Sequence, residues 1–144
     1  MMKPVFFLLI TAFLLNACRP SANDLPARVL HPHEELPAGV DEKDYTSVLY
    51  NPRQEEWHPE REGEMDYQVN WELDHLQRAD FILMNFLPGS QSPITLLELG
   101  LFAGSRKLRV ICPASFYRYD NVRITCQRYA VPMYETLKEA VESL

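Results

Sequence analysis

Apolar residues in this chain fall into one long block and several short ones. Pro4 to Leu15 is an almost unbroken apolar run of about a dozen residues, too short for an ordinary membrane span. Three later runs have strand length. Thr46-Ser-Val-Leu-Tyr50 is stopped by Asn51-Pro52, Asp80-Phe-Ile-Leu-Met-Asn-Phe86 is continuous enough for a buried strand of a parallel sheet, and Leu108-Arg-Val-Ile-Cys112 follows. Ala27 to His31 allows one short strand inside the irregular stretch Arg19 to Asp44, and Val131 to Tyr134 a brief edge strand. Arg53 to Gly63 is a polar loop holding Trp57.

The spacing between these runs is helical. From Glu64 to Arg78, Met65, Val69, Leu73 and Leu76 project onto one face, with Glu72 in its middle. A second helix is predicted from Ser92 to Ala103, with Ser92 as N-cap, Pro93 at the first helical position, Gly104 as stop, and Arg106 and Lys107 just beyond. Asn121 to Tyr129 and Glu135 to Leu144 read as two more. Strands alternating with helices predict right-handed βαβ units and an α/β, doubly wound, mainly parallel sheet.

The N-terminal block reads as a targeting signal. Lys3 supplies a short positive region, and the apolar run ends in Leu15-Asn16-Ala17-Cys18. A small residue before Cys after such a run looks like the lipobox of bacterial lipoproteins, with Cys18 as the lipidated first residue of the mature chain. Such a lipid would tether the domain to a membrane without spanning it. An ordinary signal peptide or an uncleaved helix is the alternative, and a soluble secreted chain would follow from the former. The expected organisation is a signal peptide over 1–17, an irregular segment or linker over 18–45, and one α/β domain over 46–144.

Composition narrows the class. The 144 residues are 47% hydrophobic and 24% charged, ordinary for one globular domain. A net charge of -6, with 14 basic residues scattered along the chain, argues against a nucleic-acid surface. Beyond Cys18 there are Cys112 and Cys126, which an oxidising compartment would allow to pair; Cys112 also reads as a plain buried thiol. No Cys or His spacing suggests a metal, and no cofactor is expected.

The candidate chemistry lies in two acids. Between Ile94 and Ala103 every residue is apolar except Thr95, Glu98 and Gly100, so Glu98 is the single charge on a helix patterned for burial. A buried carboxylate is paired, protonated or functional; a Glu at the helix rim, or one satisfied by an Arg, is the plain alternative. The helix follows a buried strand and a loop, where open α/β sheets bind ligands. Glu72 is the second acid on an apolar face, unless the helix phase is one residue out. Two such acids suit chemistry at a sugar carbon, one attacking and another group handling the proton. Asn51, Arg53 and Trp57 are candidates for lining the same crevice, or else form a turn with a surface Arg and a half-buried aromatic.

Gln68-Val-Asn-Trp-Glu-Leu-Asp74, Ala79 to Phe86 and Ser92-Pro-Ile-Thr-Leu-Leu-Glu-Leu-Gly-Leu-Phe-Ala103 together resemble the nucleoside 2-deoxyribosyltransferase-like family. The resemblance extends through Cys112-Pro113, Phe116-Tyr-Arg118, Asn121-Val122 and Arg128 to Pro132, and includes Asn51-Pro-Arg53 and Trp57. It implies a flavodoxin-like fold, a homo-oligomer, and cleavage or transfer at the N-glycosidic bond of a (deoxy)nucleoside, with a nucleoside or nucleobase as partner. It further implies that Glu98 is the nucleophile and forms a covalent deoxyribosyl ester, and that Glu72 helps hold the substrate, with Asp80 and Ser92 as further substrate contacts. Ser92 stands where family enzymes carry an acid. The glycine-containing first βα unit of the family is expected to be missing, since only about fifteen residues separate His31 from Thr46. Two other readings follow from these departures: a catalytically inactive nucleoside- or nucleotide-binding module tethered to a membrane, and a structural or interaction lipoprotein domain.

Overall fold

Every run read as a strand becomes one, and each pairs in parallel with its neighbours. The computed structural model describes residues 5–9, 27–45, 47–54 and 56–144. Cys18 and the rest of the expected signal segment beyond residues 5–9 lie outside them. In chain order the elements are β1 (Val5–Leu9), β2 (Arg28–Leu30), β3 (Val48–Tyr50), α1 (Glu64–Arg78), β4 (Phe81–Asn85), α2 (Pro93–Phe102), β5 (Leu108–Ile111), α3 (Tyr119–Tyr129), β6 (Met133–Tyr134) and α4 (Leu137–Glu142). The architecture is α/β with parallel strands, of the Rossmann-like kind, and no closed barrel occurs among the described residues. N-terminal residues aside, the chain divides into two units, one ending at Asp80 and the other beginning at Phe81.

In the first unit the strands lie in the order β2-β3-β1. β3 pairs on one side with β2, Arg28 opposite Val48, and on the other with β1, Val5 opposite Val48. β1 comes from the run read as part of a signal. The two readings share one pattern, because a strand of a parallel sheet is as continuously apolar as a signal core. β3 alternates, with Val48 and Tyr50 buried and Leu49 half-buried. The Tyr50 ring meets Trp71 and His75 of α1 edge-on, at 6.1 and 4.2 Å between centroids. A buried phenol needs a partner for its hydroxyl. Tyr50 donates to Glu42 at 2.6 Å, and the Arg78 guanidinium holds both oxygens of that carboxylate at 3.0 Å.

α1 has the bounds expected from its period, but a different buried face. Met65 and Val69 are exposed, whereas Gln68, Trp71 and Leu76 are buried and Glu72 and His75 half-buried. The inward face thus steps 68, 71–72, 75–76, at helical spacing, and begins with an amide. A hydrophobicity pattern passes over that face because Gln68 is buried through hydrogen bonds.

In the second unit the order is β4-β5-β6. Its core is aliphatic. Ile82, Leu83 and Met84 of β4 and Val110 of β5 are fully buried, and Val122 and Cys126 of α3 face the same interior. Each such side chain contributes about 1.5–3 kcal/mol of burial. α4 starts with a capping box, in which the Thr136 hydroxyl accepts from the Glu139 amide and the Glu139 carboxylate accepts from the Thr136 amide. Both Cys112 and Cys126 are free and buried, and burial raises both thiols to a pKa of about 11.

α2 differs from its expectation twice. It is not buried all round: Ile94, Leu97 and Leu101 are exposed, and only Glu98 and Leu99 are buried within it. The helix carries more apolar residues than one packed face accommodates. Nor does Ser92 cap it. Ser92 adopts left-handed backbone angles, φ 44 and ψ 49, and makes no side-chain cap bond. Its hydroxyl is engaged instead with that of Ser90, at 2.8 Å. Pro93 does occupy the first turn, and a short 3-10 turn, Ala103–Ser105, ends the helix where Gly104 was expected to stop it.

Candidate active site

The loop after β3 is stitched to α1 by side-chain amides. Asn51 starts it as an Asx turn, its Oδ1 accepting from the Arg53 amide at 3.1 Å. The Arg53 carbonyl accepts from His31 Nδ1 at 2.7 Å, while the Arg53 side chain is exposed. Gln68 Nε2 donates to the Pro52 carbonyl at 2.8 Å and to Glu72 Oε1 at 2.6 Å. Gln54 Nε2 donates to Gln68 Oε1 at 2.7 Å and to Glu64 Oε1 at 2.9 Å. Glu64 in turn accepts from His33 Nε2 at 2.9 Å, and those bonds hold its carboxyl below the usual range. The network ends at Glu72, half-buried on α1. Burial pushes its pKa up, and the bond from Gln68 opposes that push. Asn51 and Glu72 are thereby brought to one region of the first unit, and Trp57 stands in the same loop with an exposed ring.

The second unit holds the other acid. β4 ends at Asn85, and Leu87-Pro88-Gly89-Ser90 makes the turn that follows. Gly89 has φ +78, the left-handed angle that a turn with Pro before it requires, and the Ser90 amide closes the turn on the Leu87 carbonyl at 3.2 Å. The Ser90 hydroxyl donates to the same carbonyl at 2.9 Å, and Tyr117 donates from its phenol to the Gln91 carbonyl at 3.1 Å. This tied loop delivers the chain to α2, whose second turn carries Glu98. That side chain is 3% exposed and is the only charged residue of α2. A carboxylate is expensive to bury, so its position calls for a partner, a use or both. Arg106, the nearest base downstream in sequence, is exposed.

Asp80 immediately precedes β4 and is exposed, at the end of that strand away from the α2 loop. β4 spans five residues, roughly 16 Å at strand rise, so the structure does not bring Asp80 to the end where α2 begins. A groove of about 280 Å³ runs between α2 and α3, lined by Leu96, Leu99 and Gly100 on one wall and Arg118, Asn121 and Thr125 on the other. Glu98 is not among its lining residues. Sequence reasoning passed over Gln54, Gln68 and Glu64. One signal for Gln68 was present: it stands one helical turn before Glu72, at i and i+4, the spacing at which an amide reaches a carboxylate.

One family model matches the chain, described as nucleoside 2-deoxyribosyltransferase like, over residues 29–116. That is more than half of the 144 residues, and it includes β2 to β5 with both acids. No curated protein matches.

Proposed function

The chain belongs to the nucleoside 2-deoxyribosyltransferase-like family, and from that premise we propose that it acts at the N-glycosidic bond of a (deoxy)nucleoside through Glu98. The observation that carries the reading is the burial of Glu98 as the lone charge of an apolar helix that opens after a parallel strand and a tied turn. A carboxylate oxygen attacks the anomeric carbon. The carbon–nitrogen bond breaks with its electron pair going to the base, which takes up a proton. A second base, or water, then attacks the same carbon, and the ester bond breaks back to a free carboxylate. The first acceptor gives transfer and the second hydrolysis. Glu72 acts as a substrate-holding group, with Asn51, Arg53 and Trp57 supplied by the loop that precedes α1 and is tied to it through Pro52 and Gln68.

The test is direct. Incubation with 2'-deoxynucleosides should leave a deoxyribosyl adduct on Glu98 by mass spectrometry, and Glu98→Gln should stop release of free base. Release that survives Glu98→Gln overturns the proposal. A second reading, a binding module without turnover, is favoured by Ser92. It stands where the family's transferases carry an acid, and its hydroxyl is already engaged with Ser90. Nucleoside binding without base release, indifferent to Glu98→Gln, is the signature of that reading.

Location belongs to the proposal too. Lipidation at Cys18 would anchor the mature chain to a membrane, and Cys18→Ser would abolish it. Cleavage before Cys18 removes Val5–Leu9, leaving β3 paired with β2 alone. The intact mass of the membrane-associated chain decides which use that segment serves.

A further inference from the structure

The hydrogen-bond network of the first unit has one direction only. Gln68 is buried, and both of its amide hydrogens are committed, one to the Pro52 carbonyl and one to Glu72 Oε1. Its carbonyl accepts from Gln54, whose own two hydrogens go to Gln68 and to Glu64. Turning the Gln68 amide over would set its oxygen against a carbonyl and a carboxylate at 2.6–2.8 Å, and its NH2 against that of Gln54. Both amides are therefore locked, and Gln68 meets Glu72 as a donor. We propose that Gln68 is a positioning residue: it pins Oε1 of Glu72 as a permanent acceptor and leaves Oε2 as the one oxygen that a ligand hydroxyl or N–H can meet. The proposal rests on Glu72 being a substrate-holding group, as read above.

The consequence is chemical as well as geometric. With Gln68 donating to Oε1, a proton favours Oε2, so ionised or protonated, Glu72 keeps Oε2 as the oxygen left for a ligand. Ionised, Oε2 accepts from a sugar hydroxyl or a base N–H; protonated, it donates to a ring nitrogen or carbonyl. Burial and the Gln68 bond are the two influences on this carboxyl. The charged groups around it are otherwise engaged: Glu64 with His33 beyond Gln54, and on α1 His75, whose Nδ1 donates to the Trp71 carbonyl. The Gln68 bond is thus what opposes protonation of Glu72.

The experiment needs no substrate in its first arm. Carbon-13 NMR of glutamate side chains, assigned through Glu72→Gln, should show the Glu72 titration moving up by on the order of one pH unit in Gln68→Met. Gln68→Glu should raise it too, and only its protonated form, able to donate as the amide did, should restore ligand affinity. Affinity in that variant should therefore recover as pH falls. In the second arm, Gln68→Met should raise KM for a deoxynucleoside more than it lowers kcat, and shift the acid limb of the pH profile by the same interval. Should Gln68→Met fail to fold, Gln54→Met removes the anchor behind Gln68 and should produce the same shift at smaller size. An unmoved Glu72 titration in whichever variants fold overturns the positioning role. A titration that moves in a chain with no nucleoside binding or turnover leaves the role standing and sinks the proposed function instead.

Discussion

Glu72 and Glu98 occupy the second half of one helix and the middle of another, and their surroundings are built from opposite materials. Around Glu72, in the first unit, the hydrogen bonds run through amides: Gln68 donates to it, Gln54 and the Pro52 carbonyl hold Gln68, and the carboxylate is half-buried. Around Glu98, in the second unit, the helix is Ile, Leu and Phe apart from Pro93, Thr95 and Gly100, and the side chain is buried. A carboxylate steadied by donors holds a direction well but gives up little on binding. One buried on an otherwise apolar helix gives up more of its hydration, so burial and its partners together set its reactivity toward an electrophilic carbon. Under the proposed function, holding falls to the first unit and chemistry to the second. Each change below is a way to break that division.

The largest effect belongs to Glu98. Glu98→Gln keeps the shape and removes the proposed nucleophile, so base release should fall by roughly 10³-fold or more. Gln keeps the length of the side chain and an oxygen that can accept, so the melting temperature should stay within a few degrees of its starting value. If melting instead drops by several degrees with activity retained, Glu98 is a structural acid and the division fails.

Glu72→Gln should be milder. About 10- to 100-fold in kcat/KM is expected, carried mainly by KM. The variant also has a pH signature. Burial raises the folded pKa of Glu72 above its unfolded value. Its contribution to stability is therefore full below the ordinary glutamate range and is lost as pH rises through the raised folded value. Glu72→Gln does not titrate, so its stability relative to the unmodified chain should improve as pH climbs through that window. Denaturant midpoints between pH 4 and 8 measure this, and a difference that stays flat would mean Glu72 is fully solvated.

Tyr50→Phe tests the scaffold under the holding site without touching either acid. It removes the hydroxyl that meets Glu42 but leaves Glu42 on Arg78. A loss of about 1–2 kcal/mol in unfolding free energy is expected, with Glu98-dependent base release unchanged. A loss of activity in step with stability would show that the two units do not divide the work.

What was legible in the sequence follows the same division. The bounds of α1, the strand character of 80–86 and Glu98 as the single charge of α2 could all be read, because apolar periodicity and one charge in an apolar run are strong signals. The inward face of α1 could not, since it begins with Gln68, whose burial depends on partners 14 and 16 residues away in sequence. Nor could the strand at Val5–Leu9, because five apolar residues serve a parallel sheet and a signal core equally. Ser92 has the identity of an N-cap, yet its hydroxyl bonds to Ser90 and its backbone is left-handed, and neither property is written in residue type.

The smallest effect should come from the outward side of α2, one residue from the acid. Leu97 and Leu99 flank Glu98, yet Leu97 is 60% exposed and Leu99 is 3% exposed. Leu97→Lys should therefore change unfolding free energy by no more than about 0.5 kcal/mol, while Leu99→Ala, a reference for the packed side, should cost about 2–4 kcal/mol. Adding a charge beside Glu98 also probes how far its burial shields it. The lysine points to solvent, where its field is screened, so base release should change less than about threefold and should return to the starting value with added salt. A cost near that of Leu99→Ala would mean that Leu97 is covered in solution. Glu98 would then owe part of its burial to whatever covers the helix, and the chemistry proposed for it would depend on that cover.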